Sequence, residues 1–243
     1  QYVIANVKEG EEPLNPVTTR GIDISLAYLL RRVLPMVNAY TTVRRYVHTH
    51  TRYEYGMTCH ALAAAIRSLL HEFVILVAQL EHQMNSPRGL PLQRLFFYVQ
   101  PSLHTMQALQ RLVLEVDNER GGALLDRLAR VTTVGGDRQS RLIYDYLQKK
   151  AAIPFYEMLT NWVHKGELND PFSEFMVTVN ESQRANNLLD DFNTKYWEER
   201  YTICEEMLPA VLKGASQRIL VTGKYLNVLR SVDISPRQKG STE

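Results

Sequence analysis

The sequence predicts an all-α fold, an extended bundle of long, partly kinked helices with one short extended segment near residues 170–180. Three observations carry this. Apolar residues recur every three or four positions over long stretches, the period of a helix with one buried face. Glycine and proline gather at a few places between those stretches, where they act as boundaries. One stretch alone, Phe175, Val177 and Val179, alternates as a strand does.

Residues 1–20 bring Gly10, Glu11, Glu12, Pro13 and Pro16 close together and read as a leader with little regular structure. Asp23 and Ser25 can cap a helix through LAYLLRRVL, which Pro35 stops or kinks; a second helix is expected from Val37 towards His50. The clearest helix runs from Thr58 to Met84. Projected at about 100° per residue, Leu62, Ile66, Leu69, Leu70, Phe73, Leu76, Val77 and Leu80 form its buried stripe, with Arg67, His71, Glu72, Gln79 and His82 off it. The loop NSPRGLP breaks the chain before a helix from Leu92 to about Val116. Pro101 inside it removes a backbone hydrogen bond and crowds the Phe97 carbonyl, which predicts a kink.

Gly121, Gly122, Gly135 and Gly136 bracket a short helix over GALLDRLARV. From Arg138 to Lys165 the helical period returns, with Leu142, Ile143, Tyr146, Leu147, Phe155, Leu159 and Trp162 as the expected buried set. Pro154 should bend this helix and Gly166 should end it. In ELNDPFSEFMVTV, Asp170-Pro171 favours a turn ahead of the extended segment. A helix through KYWEERYTICEEM and a last one from near Pro209 to about Arg230 complete the order. The helical domain is thus placed at 21–231, and residues 232–243 read as a polar tail.

Apolar residues make up 45% of the 243, enough to build a core without staples. Cys59 and Cys204 form no C-x-x-C pair, so neither a disulfide framework nor a zinc module is indicated, and a reducing compartment is expected. Lys plus Arg number 28 against 26 for Asp plus Glu, so no whole-chain field draws nucleic acid. The longest uninterrupted apolar run, FVILVA at 73–78, falls short of the ~20 residues that span a bilayer, and a soluble chain without a membrane partner is expected. The opening residues lack an initiator Met and the pattern of a secretory signal, and the chain reads as an excerpt of something longer.

A search for chemistry finds no catalytic, metal or cofactor site. His60, His71 and His82 share a helix face at spacings of eleven residues, which separates neighbours by roughly 16 Å, far beyond a shared ion. His71-Glu72 begins like H-E-x-x-H, but Ile75 occupies the second ligand position. His48 and His50 read as surface histidines. Thr222-Gly223-Lys224-Tyr225 has Arg218 where a phosphate-binding loop needs its first glycine. Cys204, on a helical pattern beside Glu205 and Glu206, reads as a buried structural cysteine. What remains is an early basic and aromatic region, Arg31, Arg32, Arg44, Arg45, Tyr46, Arg52, Tyr53 and Tyr55. Arg and Tyr are enriched at protein interfaces, so these are the candidate partner-binding residues.

The order of segments adds an identity. YEYGMTCHALAAAIRSLLHEFVILVAQLEHQ, LPLQRLFFYVQPSLHTM, KKAAIPFYEMLTNWVHKGELNDPFSEFMV, KYWEERYTI and TGKYLNVLR, in that sequence, resemble the amino-terminal conserved grip region of the gamma-tubulin complex components, from about Ile22 to Arg230. VAQLEHQ, DPFSEFMV and GKYLNVLR are similar to the branch that pairs with component 3, whereas residues 117–138 depart most from the family pattern. The resemblance implies a scaffold without catalysis, making lateral contacts to component 3 and other paralogous components so that gamma-tubulin is arrayed to nucleate microtubules. It also implies that gamma-tubulin is held indirectly, by a second conserved region outside this chain. Recruitment to centrosomes or spindle poles follows from the same likeness. The alternative it leaves open is a helical adaptor that holds MOZART microproteins or the helices of attachment factors.

Overall fold

The computed structural model describes residues 23–87, 89–134, 137–180 and 200–234, so the expected leader and all but the start of the expected tail lie outside the described residues. Among the described residues six α-helices carry the fold: α1 (Ile24–His50), α2 (Met57–Met84), α3 (Leu92–Val116), α4 (Gly121–Val134), α5 (Arg138–Lys165) and α6 (Ser216–Ile234). Two short strands, β1 (Val177–Val179) and β2 (Tyr201–Ile203), pair antiparallel with Thr178 opposite Thr202. α1 lies along α3, α2 along α5, and both α4 and α6 dock on α5, which makes α5 the central post.

The caps explain where several helices begin and end. The Asp23 carboxylate accepts from the Ser25 N–H at the start of α1, and Asp137 accepts from the Ser140 N–H at 3.0 Å at the start of α5. Hydrogen bonding from Ser140, by its side chain first and then by this N–H, holds the Asp137 carboxyl below its ordinary value. Gly166 closes α5 in the left-handed conformation, φ 64°, returning its N–H to the Trp162 carbonyl. The core runs through Leu62 and Ile66 of α2, Leu109 and Leu112 of α3, Leu124 and Leu128 of α4, and Leu147, Phe155 and Trp162 of α5, all shut off from solvent. Each leucine-sized side chain buried there stabilises the fold by about 2 kcal/mol.

α2 has no capping side chain of its own, because Gly56 stands at its N-cap. Glu174, far downstream, fills that role. Its carboxylate accepts from the Met57 N–H at 2.6 Å, the Thr58 N–H at 3.2 Å and the Thr58 hydroxyl. The same hydroxyl accepts from the Gly121 N–H at 3.0 Å, and the Glu174 carbonyl accepts from the Gly122 N–H at 3.3 Å. One buried acid thus ties the starts of α2 and α4 to the loop before β1. Asp170 holds that loop by accepting from the Glu174 and Phe175 N–H groups at 3.0 and 2.8 Å. Gly56 is required at this junction: its φ is 95°, and a Cβ there would sit 2.3 Å from a Glu174 carboxylate oxygen.

Several expectations are corrected. α1 is one helix through Pro35 rather than two. α3 and α5 run through Pro101 and Pro154, as the sequence predicts. The residues whose carbonyls lose their partners, Arg31, Phe97 and Lys150, are all exposed, so water can satisfy those groups. Of KYWEERYTICEEM, residues 195–199 lie outside the described residues and Arg200 is helical, but Tyr201–Ile203 pairs with β1, and Cys204 follows it half-buried, in no helix. The extended segment does not alternate, because Phe175, Met176 and Val177 are all buried and Val179 is exposed. Pro209 precedes a 3-10 helix, Ala210–Ala215, before α6, and α6 runs on to Ile234, past the expected end near Arg230. Leu142, Tyr146 and Val77 face solvent instead of the core.

By length and composition α2 is apolar enough to cross a membrane, with an 18-residue window of mean hydropathy 1.8; the short run FVILVA understates it. Core helices pass the same test, and Cys59, Leu62 and Ile66 of α2 are buried in this fold. Only 28% of that window is buried, however, and Val74, Ile75 and Val77 are left exposed.

Candidate partner-binding site

α1 carries four of the candidate arginines, and all four are exposed. They do not form one face. Arg31 and Arg45 fall within about 40° of each other around the helix axis, whereas Arg44 lies about 140° from Arg31. Arg32 reaches across to α3, its guanidinium 5.0 Å from the centre of the Phe96 ring, and so helps fix the α1–α3 pair.

The tyrosines separate from the arginines. Tyr46 is 3% exposed and belongs to the core; its hydroxyl finds no hydrogen-bond partner among the described residues, and burial pushes the phenol well above its ordinary range. His50, read as a surface histidine, is buried as well. Its ring stacks on Tyr46 at 4.0 Å and tilts against Tyr55 at 4.7 Å, and its Nδ1 lies 3.1 Å from the Tyr46 carbonyl. Arg120 covers the other side of this column, 5.5 Å from the Tyr55 ring. Tyr53 opens the short 3-10 turn Tyr53–Tyr55 that joins α1 to α2. The turn is therefore packed from inside by Tyr46, His50 and Tyr55, while the arginines of the predicted set are exposed.

Arg44 and Arg52 do come together, on the rim of a cleft of about 540 Å³ between the end of α1 and the middle of α2. Arg67 of α2 adds a third guanidinium, held by a hydrogen bond to the Thr51 hydroxyl. The floor is apolar, built from Tyr40, Leu70 and the half-exposed Val74. No carboxylate lines the cleft. The described ion pairs, Arg127–Glu115 and Arg230–Glu167, lie elsewhere. The sequence reading missed Arg67 because the residue sits off the core stripe of α2; its position one helix turn before the stripe's Leu70 was the available signal.

The remaining chemistry is structural. Among the described residues no group of three or more His, Cys, Asp or Glu could hold a metal ion. Thr222-Gly223-Lys224 lies inside α6, where Gly223 faces the Trp162 indole so closely that a Cβ would stand 1.9 Å from the ring. The glycine therefore serves helix packing, and no phosphate cradle forms. Burial, and then the nearby Glu174 carboxylate, push the Cys59 thiol up to about 12. A thiol held protonated in this way is a poor nucleophile. Native protein treated with iodoacetamide at pH 8 is expected to be alkylated at half-buried Cys204 and spared at Cys59 until it is unfolded, with peptide mass spectrometry as the readout.

Comparison with known proteins places this surface in context. The description "Gamma tubulin complex component N-terminal" matches residues 3–242. Gamma-tubulin complex component 2 of Mus musculus is 39% identical over 233 residues, covering 95% of this chain and 26% of that protein. Gamma-tubulin complex component 2 of Arabidopsis thaliana is 33% identical, covering 90% of this chain and 33% of that protein. Spindle pole body component alp4 of Schizosaccharomyces pombe is 28% identical, covering 86% and 32%. The chain thus spans about a quarter to a third of the length of the curated relatives it matches.

Proposed function

Because this chain belongs to the gamma-tubulin complex component family, through that family's N-terminal region, we propose that it is a structural, non-enzymatic element that joins neighbouring components side by side. In this reading the helical region sets the spacing of neighbours, and gamma-tubulin, carried by a part of the protein beyond this chain, is arrayed as a template for microtubule growth. The neighbour is component 3 or another paralogue, and the site of action is a microtubule-organising centre, a centrosome or spindle pole. The observation that carries the reading is the match over residues 3–242. It is supported by the cleft in which exposed Arg44 of α1 lies near exposed Val74 of α2, a mixture of cationic and apolar groups found at association surfaces.

Charge reversal tests it. Full-length protein with Arg31, Arg32, Arg44 and Arg45 changed to glutamate is expected to sediment apart from component 3, while the unaltered protein co-sediments in larger assemblies. Unchanged association and ring formation in the variant would show that the assigned surface is wrong.

A further inference from the structure

The cleft between α1 and α2 has a composition that lateral packing of two helical surfaces does not by itself require. Three guanidiniums stand over an apolar floor, with no carboxylate lining the space. Desolvating such a group is favourable only if the incoming partner supplies negative charge, and the floor is covered only if the same partner supplies aliphatic side chains. We propose that this cleft is a docking site for an acidic, leucine-type amphipathic helix of a partner protein.

Spacing narrows the ligand. Arg44 stands in the last turns of α1 and Arg52 just past its C-cap, so two cationic groups border the cleft where α1 ends. An incoming helix with two carboxylates about two turns apart can meet both arginines, and residues three and four places after the first carboxylate lie on the same face, able to cover Leu70 and Val74. Arg67 is already held by Thr51, whose hydroxyl is in turn bonded to the Val47 carbonyl, so this rim is partly ordered before a ligand arrives. Nucleic acid fits less well. Its phosphates would meet the arginines, but it carries no aliphatic groups for the floor, and the chain's net charge of +2 offers no extended basic track.

A fluorescein-labelled, alanine-based helical peptide with two glutamates seven residues apart flanking two leucines is the probe, titrated by anisotropy into the 243-residue chain and into the full-length protein. Saturable binding is expected. It should weaken by about tenfold or more for the Arg52→Glu, Arg67→Glu double variant and for the same peptide with glutamine in place of glutamate. Arg94→Glu, an exposed arginine of α3 outside the cleft, serves as the control and is expected to bind as the unaltered protein does. Circular dichroism melting checks that each variant is folded. No saturable binding, equal binding of the glutamine peptide, equal loss in the Arg94 control, or tighter binding of a charge-matched single-stranded oligonucleotide at the same residues would each overturn the proposal. Arg44 belongs to both the cleft and the set reversed in the assembly experiment, whereas Arg52 and Arg67 belong to the cleft alone. Loss of peptide with assembly retained therefore separates this docking site from the lateral surface.

Discussion

Replacing Trp162 with alanine is expected to destabilise the fold by about 4 kcal/mol and to release α6 from the bundle. The indole is fully buried where α5, α6 and β2 meet. Its Nε1 donates to the Ile219 carbonyl at 3.0 Å, and its ring meets Tyr201 edge-on at 4.9 Å. Truncation removes both contacts and leaves a large void against Gly223, whose missing side chain is the reason the helices approach so closely. Chemical denaturation should report the loss, and hydrogen exchange should show α6 losing protection before α2 and α5. Gly223→Val attacks the same junction by overpacking and should also destabilise, by roughly 2–3 kcal/mol. A Trp162→Ala protein with an unchanged denaturation midpoint would mean that α6 does not depend on this contact.

The second large effect belongs to Glu174. Alanine there strips the acceptor from two N–H groups at the start of α2 and from the Thr58 hydroxyl, in a place where the carboxylate is 1% exposed. Buried donors left without acceptors cost more than the bond itself was worth, so a loss of about 3 kcal/mol is expected. Glutamine retains one acceptor but sets an NH2 group against N–H donors, and should recover only part of the loss. A urea midpoint for Glu174→Ala equal to that of the unaltered chain would contradict the role assigned to this residue.

These two residues also mark how far the sequence could be read. The α2, α3 and α5 boundaries were legible almost to the residue, because long amphipathic stretches end in strong local signals such as Asp137 and Gly166. Trp162 stood out as a core residue on the same grounds. Glu174 did not, since its partners lie more than a hundred positions away and nothing local marks a carboxylate as a cap for another helix. β2 failed for a related reason: Tyr201–Ile203 is extended only because β1 offers it a ladder, a long-range pairing that outweighs the helical pattern around it.

The site was legible in part. Clustering of Arg and Tyr picked out α1 and the turn after it, but sequence proximity could not separate residues facing in from residues facing out. Tyr46 and His50 turned out to pack the turn, and Arg44 and Arg52 to border a cleft. Helical periodicity fixes the phase of a stripe, not its width, which depends on the neighbouring helices. That is why Val77, Leu142 and Tyr146 were assigned to a core that does not reach them.

The central claim is that this helical region meets a neighbouring component side by side. Its most direct test is photo-crosslinking in assembled full-length complexes, with a photoreactive amino acid in place of the exposed Arg45 and the products identified by mass spectrometry. The account predicts crosslinks to the N-terminal region of an adjacent component. Crosslinks confined to the same chain, or made only to gamma-tubulin, would contradict it.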